Sequence, residues 1–164
     1  MSTRVWIAKE LDNGKYRSIY CHSDGYPSHT GMILLKHYDT EEKLDELLKL
    51  GDISIIGGIL APDPTKPHNR MVQQDGVTLA YGRDMGKKDV EARERSYSAI
   101  TTGTNCDHTY IFTRDQKWMF IKLGEPKLEV KDLAEELKYE PQETVTENEE
   151  TVDAETEETL TQSM

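Results

Sequence analysis

Residues 5–21 decide the fold, and they read VWIAKELDNGKYRSIYC. The pair Asn13-Gly14 near the centre is the strongest short signal for a β-hairpin, because both central residues of a type I′ turn need positive φ. Apolar and polar residues alternate on either side, which predicts a strand from Val5 to Leu11 and a return strand from Lys15 to Cys21. The alternation sets Trp6 and Ala8 opposite to Val5 and Ile7, and Tyr16, Ser18 and Tyr20 opposite to Arg17, Ile19 and Cys21.

Elements further along the chain are predicted from helical spacing, caps and turn residues. Asp39 with Glu42 forms a capping-box arrangement for a helix whose apolar stripe is Leu44, Leu47 and Leu48. The other predicted elements are a short helix over 32–38, a long surface loop over 57–75, a third strand over 76–82, a short charged helix over 89–96, a second hairpin with strands over 110–112 and 118–123, and an amphipathic helix from Pro126 to about Lys138.

This succession of elements predicts an α+β fold. Two hairpins plus a middle strand give a mainly antiparallel sheet, and two to three helices cover one face. We assign residues 1–140 to a single α+β domain. Residues 141–164 lack aromatic side chains and are rich in Thr and Glu, so they are predicted to form a disordered acidic tail.

The charge is concentrated in the tail. The formal net charge is −11, yet nine acidic residues and no Lys or Arg lie from Glu140 onward, which leaves 22 acidic and 20 basic residues over 1–139. Such a tail either solubilises the protein or acts as a DNA-like polyanion. Arginines at 93 and 95 alternate with glutamates at 91 and 94, which argues against a nucleic-acid partner.

The composition also limits where the protein acts. A run of about 18 apolar residues is missing from the sequence, so no membrane partner is expected, and the first residues lack the hydrophobic region of a signal peptide. Only Cys21 and Cys106 are present, which favours a reducing cytosol over a disulfide-stabilised secreted domain.

Side chains suited to binding concentrate in residues 20–31, which read YCHSDGYPSHTG. Two histidines, a thiol, a carboxylate and two phenols surround an Asp-Gly turn that joins the first hairpin to a helix. Loops held by a rigid scaffold carry function more often than they carry core. We therefore expect a ligand-binding site here, to which Tyr20, His22, Asp24 and Tyr26 contribute.

Arg83 is the cation predicted to complete the site. It follows the third strand in the segment Tyr81-Gly82-Arg83-Asp84, where glycine would let the backbone approach an anion and the guanidinium would clamp a phosphate. The five residues Tyr20, His22, Asp24, Tyr26 and Arg83 converge on one pocket if both strands leave the sheet at the same end.

Three kinds of chemistry are conceivable for these residues. Cys21-His22 with Cys106-Asp107-His108 offers thiols and imidazoles for zinc, but adjacent residues of a strand point to opposite faces, so no metal site and no cofactor are predicted. A Cys21 nucleophile lacks an orienting third residue. His22 and Asp24 as general acid and base of a small phosphoesterase or nuclease stay open as an alternative.

The chain resembles a group of small, mostly uncharacterised bacteriophage and prophage accessory proteins. The resemblance lies in the segment Tyr-Cys-His-x-Asp-Gly-Tyr-Pro, in the hairpin and two helices over residues 5–52, and in Tyr81-Gly82-Arg83-Asp84. It covers about two thirds of the chain, excludes the tail, and brings no specific activity with it. It implies a phage gene product that acts in the host bacterial cytoplasm.

The function predicted from these observations is a non-enzymatic counter-defence protein. Its partner would be a host defence protein or a small nucleotide-type signal, and a homo-oligomer stays open. The alternatives are the phosphoesterase or nuclease using His22 and Asp24, and an acidic DNA mimic in which the tail supplies the charge.

Overall fold

The computed structural model describes residues 2–141, which contain eight strands and five α-helices. The predicted tail, apart from Pro141, lies outside the described residues. The elements in chain order are β1 (Val5–Glu10), β2 (Tyr16–Cys21), α1 (Met32–His37), α2 (Glu41–Leu48), β3 (Ile53–Ile55), β4 (Leu79–Ala80), α3 (Tyr81–Met85), β5 (Arg93–Arg95), α4 (Tyr97–Thr101), β6 (His108–Phe112), β7 (Trp118–Lys122), β8 (Val130–Asp132) and α5 (Leu133–Leu137).

The strands form one sheet in the order β4-β3-β2-β1-β6-β7-β8, and β5 pairs with β2 beside that path. Pairing is antiparallel except between β1 and β6 and between β2 and β3, within the described residues. The prediction of an α+β fold with a mainly antiparallel sheet is therefore confirmed.

Both hairpins are confirmed. In the first, Trp6 lies opposite Tyr20 and Glu10 opposite Tyr16. The predicted type I′ turn is wrong, because Gly14 has φ +83° but Asn13 does not have a positive φ; the Leu11 N–H instead donates to the Lys15 carbonyl across a three-residue loop that ends in the left-handed glycine. In the second, β6 and β7 pair around a turn in which Gln116 has φ +64°. Each hairpin is a local structure that its own turn residues specify.

One face of the sheet, the first face, carries the main hydrophobic core. Helix α1 packs Leu34 on it, α2 packs its leucine stripe, and α5 packs Leu133. These side chains meet the alternate residues of the four central strands, namely Val5, Ile7, Ile19, Cys21, Tyr110, Phe112, Trp118 and Phe120. Two buried bonds link the layers: Trp118 Nε1 donates to the carbonyl of Tyr38, and Tyr38 Oη donates to that of Gly57.

The opposite, second face is less covered. Its core contains Ala8, Ile111 and Ile121, on which α4 packs Ile100. Thr109 Oγ1 donates to the carbonyl of Ile100 and fixes this helix to β6. Ala8 and Ser18 are fully buried on this face, but Tyr16 and Tyr20 of β2 and Trp6 of β1 are only partly buried, so these aromatic side chains keep part of their surface exposed.

Several predicted elements are wrong in type or length. The third strand is limited to Leu79–Ala80, because Asp84 accepts the N–H of Ala80 and the chain turns at once into α3. The charged helix over 89–96 is instead β5, whose three residues pair with β2. The predicted cap Asp39 is replaced by Thr40, whose side chain accepts the N–H of Lys43.

The last predicted helix begins late. Val130–Asp132 form β8 on β7, so Val130 is exposed rather than buried, and only Leu133–Leu137 are helical. The helix begins at Leu133 because Asp132 is its N-cap residue, and the Asp132 side chain accepts the N–H of Glu135.

The loop between β3 and β4 has a polar internal frame. The Gln74 side chain accepts the N–H of Asp63 and donates to the carbonyls of Asp63 and Lys66. His68 accepts the N–H of Gln74 at Nδ1, so its other nitrogen carries the proton and donates to the carbonyl of Thr78. Loops of this length without regular structure are uncommon in compact domains, and these bonds hold this one in place.

Candidate functional site

Two of the predicted site residues meet on the second face of the first hairpin. Tyr20 and His22 alternate on β2 and its extension, and their side chains hydrogen-bond between Tyr20 Oη and His22 Nδ1 at 2.9 Å. The ring of Trp6, directly opposite Tyr20 in the hairpin register, makes an edge contact with it at 6.0 Å between centroids. Strand alternation therefore gathers three aromatic rings at the end of the hairpin.

Arg95 joins these rings from β5. Its guanidinium carbon lies 4.5 Å from the centroid of the Trp6 ring, within the range of a cation–π interaction. The group is held there because Nη1 donates to both the carbonyl and the hydroxyl of Ser18, at 3.0 and 2.8 Å. Ser18 is fully buried, so the anchor of Arg95 is rigid.

Arg4 comes two residues before Trp6, so strand alternation places its side chain on the same face. Its positive charge lies near enough to Tyr20 and to Cys106 to lower the pKa of each, although burial raises both. Its backbone is fixed by Asp107, which accepts the Arg4 N–H at Oδ2 and donates its own N–H to the Arg4 carbonyl. We call Arg4, Trp6, Tyr20, His22 and Arg95 the aromatic–arginine cluster.

The charge states of this cluster follow from its burial. Burial raises the pKa of Tyr20 to about 12, so the phenol is neutral at physiological pH. Burial also raises the pKa of Asp52, whose Oδ1 accepts the N–H of Tyr20 at 2.9 Å, while Arg95 and Arg93 oppose the rise. Guanidinium groups stay protonated in proteins, so the cluster presents two cations beside a neutral phenol.

Two nitrogen donors of the cluster are unused. Within residues 2–141, Arg4 Nε and Trp6 Nε1 are buried without a hydrogen-bond partner. A buried donor left unpaired costs about 1–3 kcal/mol, so such groups are few in native proteins. Both are N–H donors, and an acceptor supplied by a ligand would satisfy them.

The loop that follows has a structural role. Asp24 adopts φ +55°, and its carbonyl accepts the hydroxyl of Thr30. Gly25 is buried against Val5, where a Cβ atom would lie 2.4 Å from Cγ1, so only glycine fits. Its carbonyl accepts the buried hydroxyl of Tyr110 at 2.6 Å. These contacts tie the loop to the first-face core.

Tyr26 is 43% exposed, and its ring contacts that of His29 at 5.9 Å between centroids. His29 belongs to a π-helical turn, Pro27–Gly31, that leads into α1 on the first face. The Tyr26 ring thus contacts the helical layer, whereas the side chains of Tyr20 and His22 lie on the second face.

The guanidinium of Arg83 makes hydrogen bonds to neighbouring groups of the protein. The residue lies in α3, not in a loop, and its guanidinium donates to the carbonyls of Leu60 and Thr78 and to both carboxylate oxygens of Asp84, at 2.7–3.0 Å. Burial alone would raise the pKa of Asp84, but Arg83 and the Ala80 N–H bring it below its usual range. Arg83 therefore fixes the long loop to α3, and the structure places it with Leu60 and Thr78 rather than with the aromatic rings.

Neither cysteine is arranged for chemistry. Cys21 is fully buried on the first face while Tyr20 and His22 flank it on the second, and burial raises the pKa of its thiol to about 12. Burial also raises the pKa of Cys106. Across the described part of the chain, no group of three or more His, Cys, Asp or Glu side chains could hold a metal ion.

A separate cavity of about 760 Å³ lies at the long loop. Its apolar walls include Ile59, Pro62 and Val72, and Lys66 contributes a charged group. None of the five predicted site residues is among those that line it. The cavity is open and borders the loop that Arg83 supports.

Sequence reasoning missed Trp6, Arg4 and Arg95 as site residues. The turn at Asn13-Gly14 fixes the hairpin register, and this register places Trp6 beside Tyr20, so the sequence does contain a signal for Trp6. Arg95 reaches the site only because a three-residue strand pairs with β2, and a segment so short carries no periodic signal.

Comparisons of the chain with family models, with curated proteins and with solved structures gave no significant match. The function has to be inferred from the residues themselves. Among residues 2–141, no helix combines the length and the apolar character needed to cross a membrane.

Proposed function

We propose that the protein is a non-enzymatic, phage-encoded counter-defence protein that acts in the host bacterial cytoplasm. It binds a host immune protein or sequesters a nucleotide-type signal, and the aromatic–arginine cluster is its binding surface. The resemblance of residues 5–52 to phage accessory proteins supports the setting. The cluster supports binding.

One observation carries this proposal, namely the position of Arg95 over Trp6 beside Tyr20 and His22 on the less covered face of the sheet. Aromatic residues and arginine are the side chains that dominate binding energy at recognition surfaces. They combine apolar area with polar groups at their tips, so a partner gains both burial and directional bonds.

The groups that an enzyme would need support catalysis less well. Cys21 is buried with a pKa raised to about 12, so the thiolate required of a nucleophile is scarce at neutral pH. His22 already uses Nδ1 in a bond to Tyr20. Within residues 2–141 the Asp24 carboxylate makes neither a hydrogen bond nor an ion pair to His22, so the two do not form an acid–base pair. This favours binding over the phosphoesterase alternative.

The test is to identify what the full chain retains from a bacterial lysate. Small molecules carried through purification are identified by mass spectrometry, and co-purifying proteins by the same method. Trp6→Ala should reduce the retained partner at least tenfold. Arg17→Ala, on the other side of β2 and half-exposed, serves as the matched control and should leave retention unchanged.

Other outcomes would favour the alternatives. Conversion of a retained nucleotide to product by the wild-type chain, lost in His22→Ala, would favour the phosphoesterase or nuclease. Partner binding that survives Trp6→Ala but is lost when residues after Glu140 are removed would favour the DNA mimic. A retained partner that is insensitive to Trp6→Ala and to Arg95→Gln would overturn the proposed surface.

A further inference from the structure

We infer that Arg4 and Arg95 form a phosphate site within the aromatic–arginine cluster, and that its ligand is a small nucleotide-type molecule. This inference rests on the proposed function and chooses between its two partner classes. It also replaces Arg83, the cation expected from the sequence, with two arginines whose donors are less occupied.

The donors available for an anion are the first part of the argument. Arg95 uses Nη1 for Ser18, and in residues 2–141 neither its Nε nor its Nη2 has a hydrogen-bond partner. The Arg4 side chain makes neither a hydrogen bond nor an ion pair anywhere in the same range, and its Nε is buried. Guanidinium groups bind phosphate through paired N–H bonds, which is why arginine predominates at phosphate sites.

Both arginines lie beside Trp6. The Arg95 guanidinium carbon is 4.5 Å from the Trp6 ring centroid, and Arg4 comes two residues before Trp6 on a segment that continues the pairing of β1 with β6, so strand alternation places its side chain on the same face. Each arginine lies near enough to influence the pKa of the Cys106 thiol, and Arg4 also influences that of Tyr20. Arg95 in turn covers Trp6, whose unpaired Nε1 adds a neutral donor. Two cations and an indole N–H around the same partly buried rings make a site rich in donors, which suits an acceptor-only anion.

The nearby acids leave the guanidinium donors unoccupied. Asp52 and Asp107 each accept a backbone N–H, from Tyr20 and Arg4 respectively, and Glu91 is a third carboxylate near Asp52. Arg93 adds a third cation near Asp52. Three arginines and three carboxylates thus share this region, but two of the carboxylates already bond to the backbone, whereas donors of Arg4 and Arg95 have no partner within residues 2–141. The unused donors therefore suit an anionic ligand.

The rings favour a planar group attached to that anion. Tyr20 and His22 stand at a tilt of 60° with 6.0 Å between their centroids, so an edge and a face are both presented next to the arginines. Flat heterocycles pack on such rings in stacked or edge-on geometry. A nucleotide supplies both parts, whereas an acidic protein segment supplies carboxylates without the planar group.

The experiment is a calorimetric titration of the full chain with ribonucleoside monophosphates, diphosphates and cyclic monophosphates. Each nucleoside and inorganic phosphate serve as matched probes that lack one half of the ligand. At least one nucleotide should bind at least tenfold more tightly than its nucleoside and than inorganic phosphate. Trp6 lies in the cluster, whereas Trp118 is buried on the first face. Nucleotide binding should therefore change the fluorescence of Trp6, and the nucleotide concentration at the midpoint of this change should agree with the affinity from calorimetry.

Two variants test the arginines. Arg95→Gln and Arg4→Gln should each weaken binding about tenfold to a hundredfold, which is what one charge-assisted bond contributes. Arg17→Gln removes the same charge from the same sheet and should leave binding unchanged. Arg4→Gln loses no side-chain bond among residues 2–141, so it remains informative if Arg95→Gln destabilises the chain.

Three results would overturn the inference. They are the absence of binding by every nucleotide at millimolar concentration, equal affinity for nucleotide and nucleoside, and affinity unchanged in both arginine variants. Capture of a host protein that Trp6→Ala abolishes, without nucleotide binding, would overturn the phosphate site while leaving the proposed function intact. If inorganic phosphate binds as tightly as any nucleotide, the inference that the ligand carries a planar group is wrong.

Discussion

Replacing Arg83 with alanine should destabilise the fold, although the sequence places this residue in a binding loop. Its guanidinium is 28% exposed and donates four bonds, to Leu60, to Thr78 and to both oxygens of Asp84. The Asp84 side chain is 4% exposed, so Arg83→Ala leaves a buried carboxylate whose remaining partners in the described part of the chain are the Ala80 N–H and the more distant His68.

The magnitude follows from what is lost. A buried ion pair broken on one side costs about 3–5 kcal/mol, and the partial exposure of Arg83 reduces this to about 2–4 kcal/mol. For a domain of this size the loss corresponds to a melting temperature lower by about 10 °C. Urea unfolding followed by circular dichroism measures the free energy of unfolding directly.

A surface ion pair supplies the control. Arg114 pairs with Asp12 at 3.0 Å, but both side chains are well exposed, so Arg114→Ala should cost less than about 1 kcal/mol. The double variant Arg83→Ala/Asp84→Ala should recover part of the loss, because the unpaired charge is removed. An Arg83→Ala protein within about 0.5 kcal/mol of wild type, on the scale of ordinary surface changes, would refute the structural role of Arg83.

The acid dependence tests the same pair. The pKa of Asp84 is below its usual range in the folded protein, so the stability gained from the pair is present above the unfolded pKa near 3.8 and is lost as the pH falls further. Arg83→Ala should therefore weaken the fall in stability below pH 4.

Three other predictions concern the core and the tail. Tyr110→Phe removes the buried bond to the Gly25 carbonyl and should lower the free energy of unfolding by about 1–3 kcal/mol, measured in urea; an unchanged value would contradict the role of that bond. Burial lowers the pKa of His108 below 6.5, so stability should fall as the pH drops from 6.5 toward the folded value, and His108→Phe should flatten this slope in melts at pH 5 and 7. Truncation after Glu140 should leave the melting temperature unchanged by calorimetry, because the removed residues lack aromatic side chains; a fall of many degrees would show that they pack.

The parts of the fold that can be predicted from sequence are those specified locally. Asn13-Gly14 sets the first hairpin, and leucines at helical spacing set α2. Strands β3, β4 and β5 span two or three residues each, so periodicity gives no signal for them, and their pairing with distant strands decides their conformation. Composition alone could not show that Arg93–Arg95 is a strand, because its alternating charges are equally common on a solvated helix.

The residues of the candidate site also fall into those that the local sequence specifies and those that depend on distant segments. Tyr20 and His22 are identified from residue type and lie together, because strand alternation guarantees it. Arg83 and Arg95 could not be assigned, because their surroundings come from segments far along the chain: Leu60 for one and Ser18 for the other. A guanidinium is available to a ligand only where the fold leaves its donors unpaired, and sequence does not show this.

The parallel pairing of β1 with β6 at the centre of the sheet has a consequence for synthesis. Val5 pairs with His108, so β1 remains an open edge on the ribosome until the second hairpin emerges. At ordinary elongation rates this interval is about 5–20 s, far longer than a hairpin needs to form. During it, the nascent chain exposes unpaired backbone groups next to Trp6, Ile7 and Ala8, where another chain could add a strand. We therefore expect aggregation during expression to increase when the synthesis of residues 108–122 is delayed after the first hairpin.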